Sequence, residues 1–256
     1  MTDDIKEFYQ DRKNRINNFS HDEELKRNLL HYLTENDYEY NFDYLGLPII
    51  QFPQDMTAVQ ELIWEVKPDL IIETGVARGG SLIQSASMLA MIDMKEAYDA
   101  NTLMDPRNSS RKVMGIDIDI RDHNRKKIEA HHLSGYIELI QDSSISNQVI
   151  DYIQSQISSF KSVMVFLDSD HSHDHVLEEL KLYSQFVTRG SYIVAFDSVI
   201  DDLDEKFNKG KSWDKSQNPK TAVLEFAKDQ EAFCIDDSID SKIFFSVAPS
   251  GYLKKL

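Results

Sequence analysis

Apolar residues along the chain form short continuous runs that are separated by longer stretches with helical spacing. The runs predict five buried strands, at residues 69–74, 112–118, 136–140, 162–167 and 191–196. The stretches after the first four strands predict helices at residues 79–91, 121–133, 147–157 and 175–186. Strands that alternate with helices favour a parallel sheet with helices on both faces, so we expect an α/β domain.

Both ends of the chain extend this pattern. Residues 1–50 are predicted to be an N-terminal helical extension, and residues 51–256 the main domain, which begins with a helix at 55–66. In the extension, Ser20 and Glu23 have the spacing of a capping box, and leucines at 25, 29, 30 and 33 share one helical face. After the fifth strand, Asn218 and Pro219 favour the start of a helix that runs to residue 228. Strands at 232–235 and 242–247 are expected to close a seven-stranded, Rossmann-like sheet.

Two stretches lack a regular apolar pattern. Residues 93–111 are predicted to be an irregular insertion, and residues 199–217 a long polar loop. Long loops in compact domains often cover active sites, so either stretch is a candidate lid.

Charge and composition narrow the possible functions. The chain has 44 acidic and 28 basic residues and a formal charge of −16, which disfavours broad binding to nucleic acid or anionic membranes. Its one cysteine, Cys234, rules out an intrachain disulfide and a multi-cysteine zinc site. The first 15 residues do not look like a signal peptide, and no apolar run approaches the roughly 20 residues of a membrane span. We therefore expect a cytoplasmic protein with a small-molecule or glycan partner, no nucleic-acid partner and no membrane insertion.

Polar residues follow the predicted strands, where ligands of open parallel sheets bind. After the first strand come Glu73, Gly75, Gly79 and Ser81, and glycines there let the backbone approach a ligand closely. After the second strand, Asp117 (or Asp119, if the strand is longer) is placed to accept hydrogen bonds from ribose hydroxyls. After the third strand, the turn formed by Asp142, Ser143 and Ser144 is placed to contact an adenine edge, or to cap the next helix.

The richest cluster follows the fourth strand. Residues 168–175 contain three aspartates and three histidines, which are residue types that serve as metal ligands or general bases. Asp168 ends a fully apolar strand, and Asp197 ends the neighbouring fifth strand. We expect these two carboxylates to converge at the sheet edge, where carboxylates and water suit Mg²⁺.

These motifs together resemble the cephalosporin hydroxylase-like family of class I methyltransferases, which includes sugar O-methyltransferases. The resemblance spans roughly residues 45–254 and includes the tail from Asn218 to Leu253. It implies the seven-stranded class I methyltransferase fold, a homo-oligomer and the cofactor S-adenosylmethionine. The cofactor would bind at Glu73, Gly75, Gly79, Ser81, Asp117, the turn at 142–144 and Asp168.

The resemblance also implies a mechanism. In related sugar methyltransferases the metal has three acidic ligands, of which Asp168 and Asp197 match two, whereas Phe196 occupies the position of the third. The base follows the first ligand by two or three residues, which implies Asp170 or His171, and His171 is preferred because an unperturbed histidine side chain titrates nearer the working pH than an aspartate does. We expect methyl transfer to a sugar hydroxyl in polysaccharide or natural-product synthesis. The alternatives are a metal-dependent hydroxylase, with His171, His173 and Asp168 around iron, and a non-catalytic subunit that binds the cofactor.

Overall fold

A computed structural model describes residues 3–20 and 22–256. The strands are β1 (Phe42–Tyr44), β2 (Leu47–Ile49), β3 (Leu70–Thr74), β4 (Lys112–Asp117), β5 (Ile137–Gln141), β6 (Val163–Leu167), β7 (Tyr192–Ala195), β8 (Phe233–Ile235) and β9 (Tyr252–Lys255). The α-helices are α1 (Asp3–Asn17), α2 (Glu23–Glu35), α3 (Pro53–Val66), α4 (Gly80–Ala100), α5 (Asp122–Glu129), α6 (Asn147–Gln156), α7 (His173–Tyr183), α8 (Glu205–Asn208), α9 (Pro219–Asp229) and α10 (Asp237–Ile243).

Strands β3 to β9 form one seven-stranded sheet, as predicted, and the structure gives their order as β5-β4-β3-β6-β7-β9-β8. The first five of these strands are parallel to one another, and β9 runs antiparallel to both β7 and β8. Two apolar clusters of buried residues fill the two faces of the sheet. Because the chain order reverses between β3 and β6, the loops after these strands diverge and leave a crevice at their carboxyl ends.

The predictions for the closing strands and for residues 93–111 need correction. The strand predicted at 242–247 is wrong: α10 covers its start, and the last strand of the sheet is β9. Helix α4 continues past the predicted end at residue 91 to Ala100, so only the second half of 93–111 is irregular. Arg111 ties that part to the helix by ion pairs with Asp93 and Glu96. A buried arginine with three acidic partners, Asp69 among them, is a tertiary arrangement that periodicity does not reveal.

Helix boundaries also differ in detail. Asp22, and not Ser20, caps α2, because its side chain accepts a hydrogen bond from Leu25 N. Ser146, and not Asp142 or Ser144, caps α6 through Val149 N. The predicted loop 199–217 contains a 3₁₀ turn (Ser198–Asp202) and helix α8.

The N-terminal extension packs beside the sheet edge at which the crevice lies. Leu30 of α2 and Leu47 of β2 are buried in the main core cluster. Gly80, at the start of α4, lies so close to the β1–β2 hairpin that a Cβ there would overlap the carbonyl of Pro48. This contact places the hairpin over one wall of the crevice. The domain boundary at residue 50 remains a prediction.

Candidate active site at the strand ends

A cleft with a volume of about 340 Å³ opens at the carboxyl ends of β3, β4, β6 and β7, within the size range of small-molecule sites. Its walls come from the loop after β3, the ends of the other three strands, and the extension. Four carboxylates line it, from Glu39, Asp117, Asp168 and Asp197, whereas Arg78 is the one lysine or arginine among the described lining residues. The cleft therefore favours a cationic ligand.

Gly75 shapes the floor of the cleft. Its φ of +87° lies in the region that favours glycine, and a Cβ there would overlap the backbone carbonyl of Asp168. Asp117 holds the next residue, since its carboxylate accepts a hydrogen bond from Val76 N at 2.8 Å. The structure thus brings together Gly75, Asp117 and Asp168 from three predicted strand ends.

Glu73 is buried beneath this loop. It lines a small cavity that shares Ser81 and Asp168 with the cleft, and it accepts a hydrogen bond from the Ser81 hydroxyl. Burial raises the pKa of Glu73 to about 7, although the Ser81 hydrogen bond acts to lower it. The second carboxylate oxygen, Oε2, is enclosed without a hydrogen-bond partner among the described residues. A buried carboxylate in this state favours a cationic donor such as an ammonium group.

The predicted adenine turn lies farther from the cleft than expected. Asp142, Ser143 and Ser144 are absent from its lining, and the Asp142 carboxylate accepts hydrogen bonds from Ser143 N and Ser146 Oγ. Ser144 is buried, with its hydroxyl 3.1 Å from His175 Nε2. Contact between this turn and a nucleobase remains a prediction.

Asp168, His171 and Asp197 form the centre of the site. One ligand atom from each lies within 4.8 Å of the other two, and His171 Nδ1 lies 3.2 Å from Asp197 Oδ2. Burial and the neighbouring Asp197 charge raise the pKa of Asp168 well above its ordinary value. Two carboxylates held this close are stabilised by a bound cation or by a protonated imidazole between them.

Backbone geometry explains why Asp197 reaches the site and Phe196 does not. Asp197 adopts a left-handed conformation with φ 54°, which aspartate tolerates better than most residues. Phe196 is buried and packs edge-to-face against Phe166, with 5.9 Å between ring centroids. Its ring therefore belongs to the core, and the side chain that lies beside Asp168 and Asp197 is that of His171.

His173 and Asp170 bond to partners outside this centre. His173 Nδ1 lies 2.8 Å from Thr221 Oγ1, so the predicted set of His171, His173 and Asp168 around iron is wrong. Asp170 accepts hydrogen bonds from Ser172 N and Oγ and is absent from the cleft lining. Burial acts to raise the pKa of Asp170, but the Ser172 hydrogen bonds hold it below the ordinary value.

Sequence reasoning missed two residues at the site. Glu39, from a 3₁₀ turn in the extension, lines the cleft, and burial and then nearby carboxylates, Asp197 among them, raise its pKa. Trp213 lies against His171, with 4.8 Å between ring centroids. Neither residue directly follows a strand of the sheet. The search for polar residues after predicted strands therefore did not find them. An aromatic residue within a polar loop was the only available signal for Trp213.

Comparison with protein families assigns the chain to a family. The model of the rhamnosyl O-methyltransferase/CmcI family matches residues 36–256. The chain belongs to this family. The resemblance predicted from the strand-end motifs is confirmed, and the matched region includes every site residue described above.

Individual relatives agree with this assignment. A rhamnosyl O-methyltransferase of Mycobacterium tuberculosis (strain H37Rv) is 28% identical over 158 residues, which are 61% of this chain and 57% of that protein. One from Mycobacterium leprae is 27% identical over 156 residues, or 60% of this chain and 59% of that protein. The aligned region therefore spans less than two thirds of these relatives' length.

Solved structures show the same fold. The apo structure of CmcI has a TM-score of 0.55 at 15% identity and covers 85% of this chain and 77% of its own. A Mg-SAM complex of CmcI has a TM-score of 0.54 at 15% identity, with the same coverage. An O-methyltransferase from Bacillus cereus in complex with SAH has a TM-score of 0.51 at 15% identity and covers 85% of this chain and 84% of its own. At these identities the likeness establishes the predicted class I methyltransferase fold.

Proposed function

We propose that this protein is an S-adenosylmethionine-dependent O-methyltransferase that acts on a hydroxyl of a sugar or glycosylated compound. The observation that carries the proposal is the close approach of His171 Nδ1 to Asp197 Oδ2, at 3.2 Å, in an acidic cleft beside the glycine loop. The cofactor is cationic at its sulfonium, so the carboxylates of the cleft suit it. Relatives named rhamnosyl O-methyltransferase support a sugar acceptor.

The residues around the glycine loop fit the cofactor. Glu73 Oε2 lacks a partner and suits the ammonium group of the methionine end, and the backbone at Gly75 admits a closely placed ligand. Asp117 reaches the cleft from the end of β4, where it is placed for ribose hydroxyls. When bound, the cofactor supplies the electrophilic methyl group.

His171 is the proposed base. Its Nδ1 faces Asp197, so the carboxylate fixes the tautomer that carries a proton on Nδ1 and leaves Nε2 as the acceptor. As the acceptor oxygen attacks the methyl carbon in line, the hydroxyl proton passes to Nε2, and Asp197 stabilises the resulting imidazolium. The cleft contributes by holding the oxygen and the methyl carbon in near-attack geometry. Asp170 is disfavoured as the base, because its carboxylate is committed to Ser172.

A divalent cation also fits this centre. Asp168 and Asp197 would hold it, with water in other positions, and carboxylate and water ligands suit Mg²⁺. It would supply Lewis-acid activation of neighbouring acceptor hydroxyls. A Mg-SAM complex is known for CmcI, which supports the expectation of Mg²⁺.

The test uses purified protein with S-adenosylmethionine, Mg²⁺ and a panel of methyl glycosides that includes methyl rhamnoside. Methylated product is detected by mass spectrometry, with and without EDTA. We expect His171→Gln to lower kcat by about 10²- to 10⁴-fold while affinity for S-adenosylhomocysteine is kept. His173→Gln is the matched control, since His173 faces Thr221, and it should stay close to wild type. Absence of methylation across the panel would refute the proposed activity.

Assembly and location are also proposed. Helix α1 has no buried residue in the single chain and exposes Phe8, which is 58% accessible. We infer that this helix packs against a second copy in a homo-oligomer, which light scattering of the purified protein tests. Among residues 3–20 and 22–256, no helix is both long enough and apolar enough to cross a bilayer. A cytoplasmic location stays a prediction.

A further inference from the structure

The segment of residues 203–217, here called the strap, connects the site to the N-terminal extension. Three contacts tie its first part to α2. Asp204 Oδ2 lies 3.5 Å from His31 Nδ1, and the Phe207 ring lies 5.9 Å from the His31 ring, centroid to centroid. Lys206 forms an ion pair with Glu35 at the end of α2. The buried side chain of Leu203 adds an apolar anchor.

The last part of the strap is fixed to α9. The Asn218 side chain, which caps that helix, donates hydrogen bonds to the carbonyls of Asp214 at 2.9 Å and Lys215 at 3.0 Å. The Asp214 carboxylate accepts hydrogen bonds from Ser216 N and Gln217 N. Trp213 lies immediately before this fixed turn, so its backbone position is set by α9.

Trp213 meets His171 from outside the cleft. The two rings are 4.8 Å apart and nearly perpendicular, at 83°. His171 lines the cleft, whereas Trp213 is absent from its lining and therefore contacts the imidazole on another side. Asp197 holds one edge of the same imidazole through Nδ1. The ring of His171 is thus held by a carboxylate from β7 and an indole from the strap.

We propose that Trp213 is a positioning residue for His171. The strap that carries Trp213 also contacts helix α2. The inference rests on the proposed role of His171 as base. When His171 takes the acceptor proton it becomes a cation, and an aromatic ring in contact with a cation stabilises it. Because this charge forms during the transfer, Trp213 should affect kcat more than the binding of either substrate.

Other charged side chains lie near the pair of rings, and the test leaves these residues unmutated. Asp168, Asp170 and Asp197 lie close to the imidazole, and Lys211 Nζ lies 5.3 Å from the Trp213 ring centroid. The chain contains a second tryptophan, Trp64, which lies on α3 and is 41% exposed. Trp64→Phe is therefore the matched control, and it leaves Trp213 as the sole tryptophan.

The first measurement is steady-state methyl transfer with the glycoside that the panel identifies. We expect Trp213→Ala to lower kcat by about five- to tenfold, as the loss of one cation–aromatic contact and of ring packing implies, with KM and affinity for S-adenosylhomocysteine nearly unchanged. Trp213→Phe should recover most of kcat, because it restores an aromatic ring. A Trp213→Ala variant with wild-type kcat, or one in which only KM changes, would overturn the inference.

The second measurement needs no turnover. In Trp64→Phe protein, Trp213 is the sole tryptophan, so its emission reports on the groups in contact with its ring. At a single pH, we expect His171→Gln to change the intensity or the wavelength of this emission. His173→Gln should leave it unchanged, because His173 faces Thr221. Emission that follows this pattern supports the contact even if no glycoside is methylated, in which case the proposed function fails alone. Emission that His171→Gln leaves unchanged overturns the inference.

Discussion

If the buried carboxylate of Glu73 binds the cofactor as proposed, we expect cofactor affinity to depend on pH. Its pKa of about 7, against an ordinary value of 4.5, corresponds to about 3 kcal/mol that opposes ionisation inside the fold. Glu73 is only 2% exposed, so solvent screens this free energy little. The folded state binds this proton more tightly than the unfolded state does. The resulting stabilisation is complete below about pH 4.5 and is lost as pH rises through about 7.

In the proposed site, the ionised form of Glu73 is the one that would pair with the ammonium group of the cofactor. The ionised fraction of Glu73 rises from about 3% at pH 5.5 to about 50% at pH 7, given a pKa of about 7. We therefore expect the association constant for S-adenosylhomocysteine to increase roughly 15-fold between these pH values. In Glu73→Gln protein the neutral amide cannot titrate, so the affinity should be low and nearly constant over the same interval.

Isothermal titration calorimetry at half-unit steps of pH from 5.5 to 7.5 measures this effect. Glu65→Gln is the matched control, since Glu65 is exposed on α3, and it should reproduce the wild-type pH dependence. Thermal melting at pH 8 checks folding, and Glu73→Gln should melt no lower than wild type, because it removes the cost of a buried charge. Wild-type affinity that is constant from pH 5.5 to 7 would refute the reasoning, as would a pH-dependent increase that persists in Glu73→Gln.

Three further changes test the site and its frame. Gly75→Ala should destabilise the fold by at least about 1–3 kcal/mol and abolish binding of S-adenosylhomocysteine. Gly190 has a similar φ but open space where a Cβ would lie, so Gly190→Ala should show the cost of backbone strain only. Melting curves and calorimetry compare the two variants. Asp197→Asn should lower kcat by about 10- to 100-fold at unchanged cofactor affinity, because an amide can present a donor to His171 Nδ1; steady-state kinetics checks this, and a change confined to KM would contradict it. Leu30→Ala should cost about 2–5 kcal/mol in urea unfolding, because Leu30 is buried where the extension meets the core, and a loss under 1 kcal/mol would show that the extension contributes little to stability.

Much of the sheet was predictable because its central strands are buried on both faces. Runs such as the one that became β6, with every residue buried, have few alternatives to a central parallel strand. The closing strands were less predictable. The predicted strand at 242–247 has an apolar pattern, but the chain there passes from α10 into irregular structure, and Ser246 donates a hydrogen bond to buried Asp55. A local apolar pattern does not reveal such a distant polar partner.

The sequence by itself determined the class of fold, the order of the elements and the residues at the strand ends, because periodicity and glycine placement are local properties. Only the tertiary structure decided which of the polar side chains meet. It selected His171 over Asp170 and His173, since one faces the cleft while the others bond to Ser172 and Thr221. It also brought Glu39 and Trp213 to the site from segments outside the sheet. The direction of a side chain depends on backbone turns and on neighbours that are distant in sequence, so no local pattern records it.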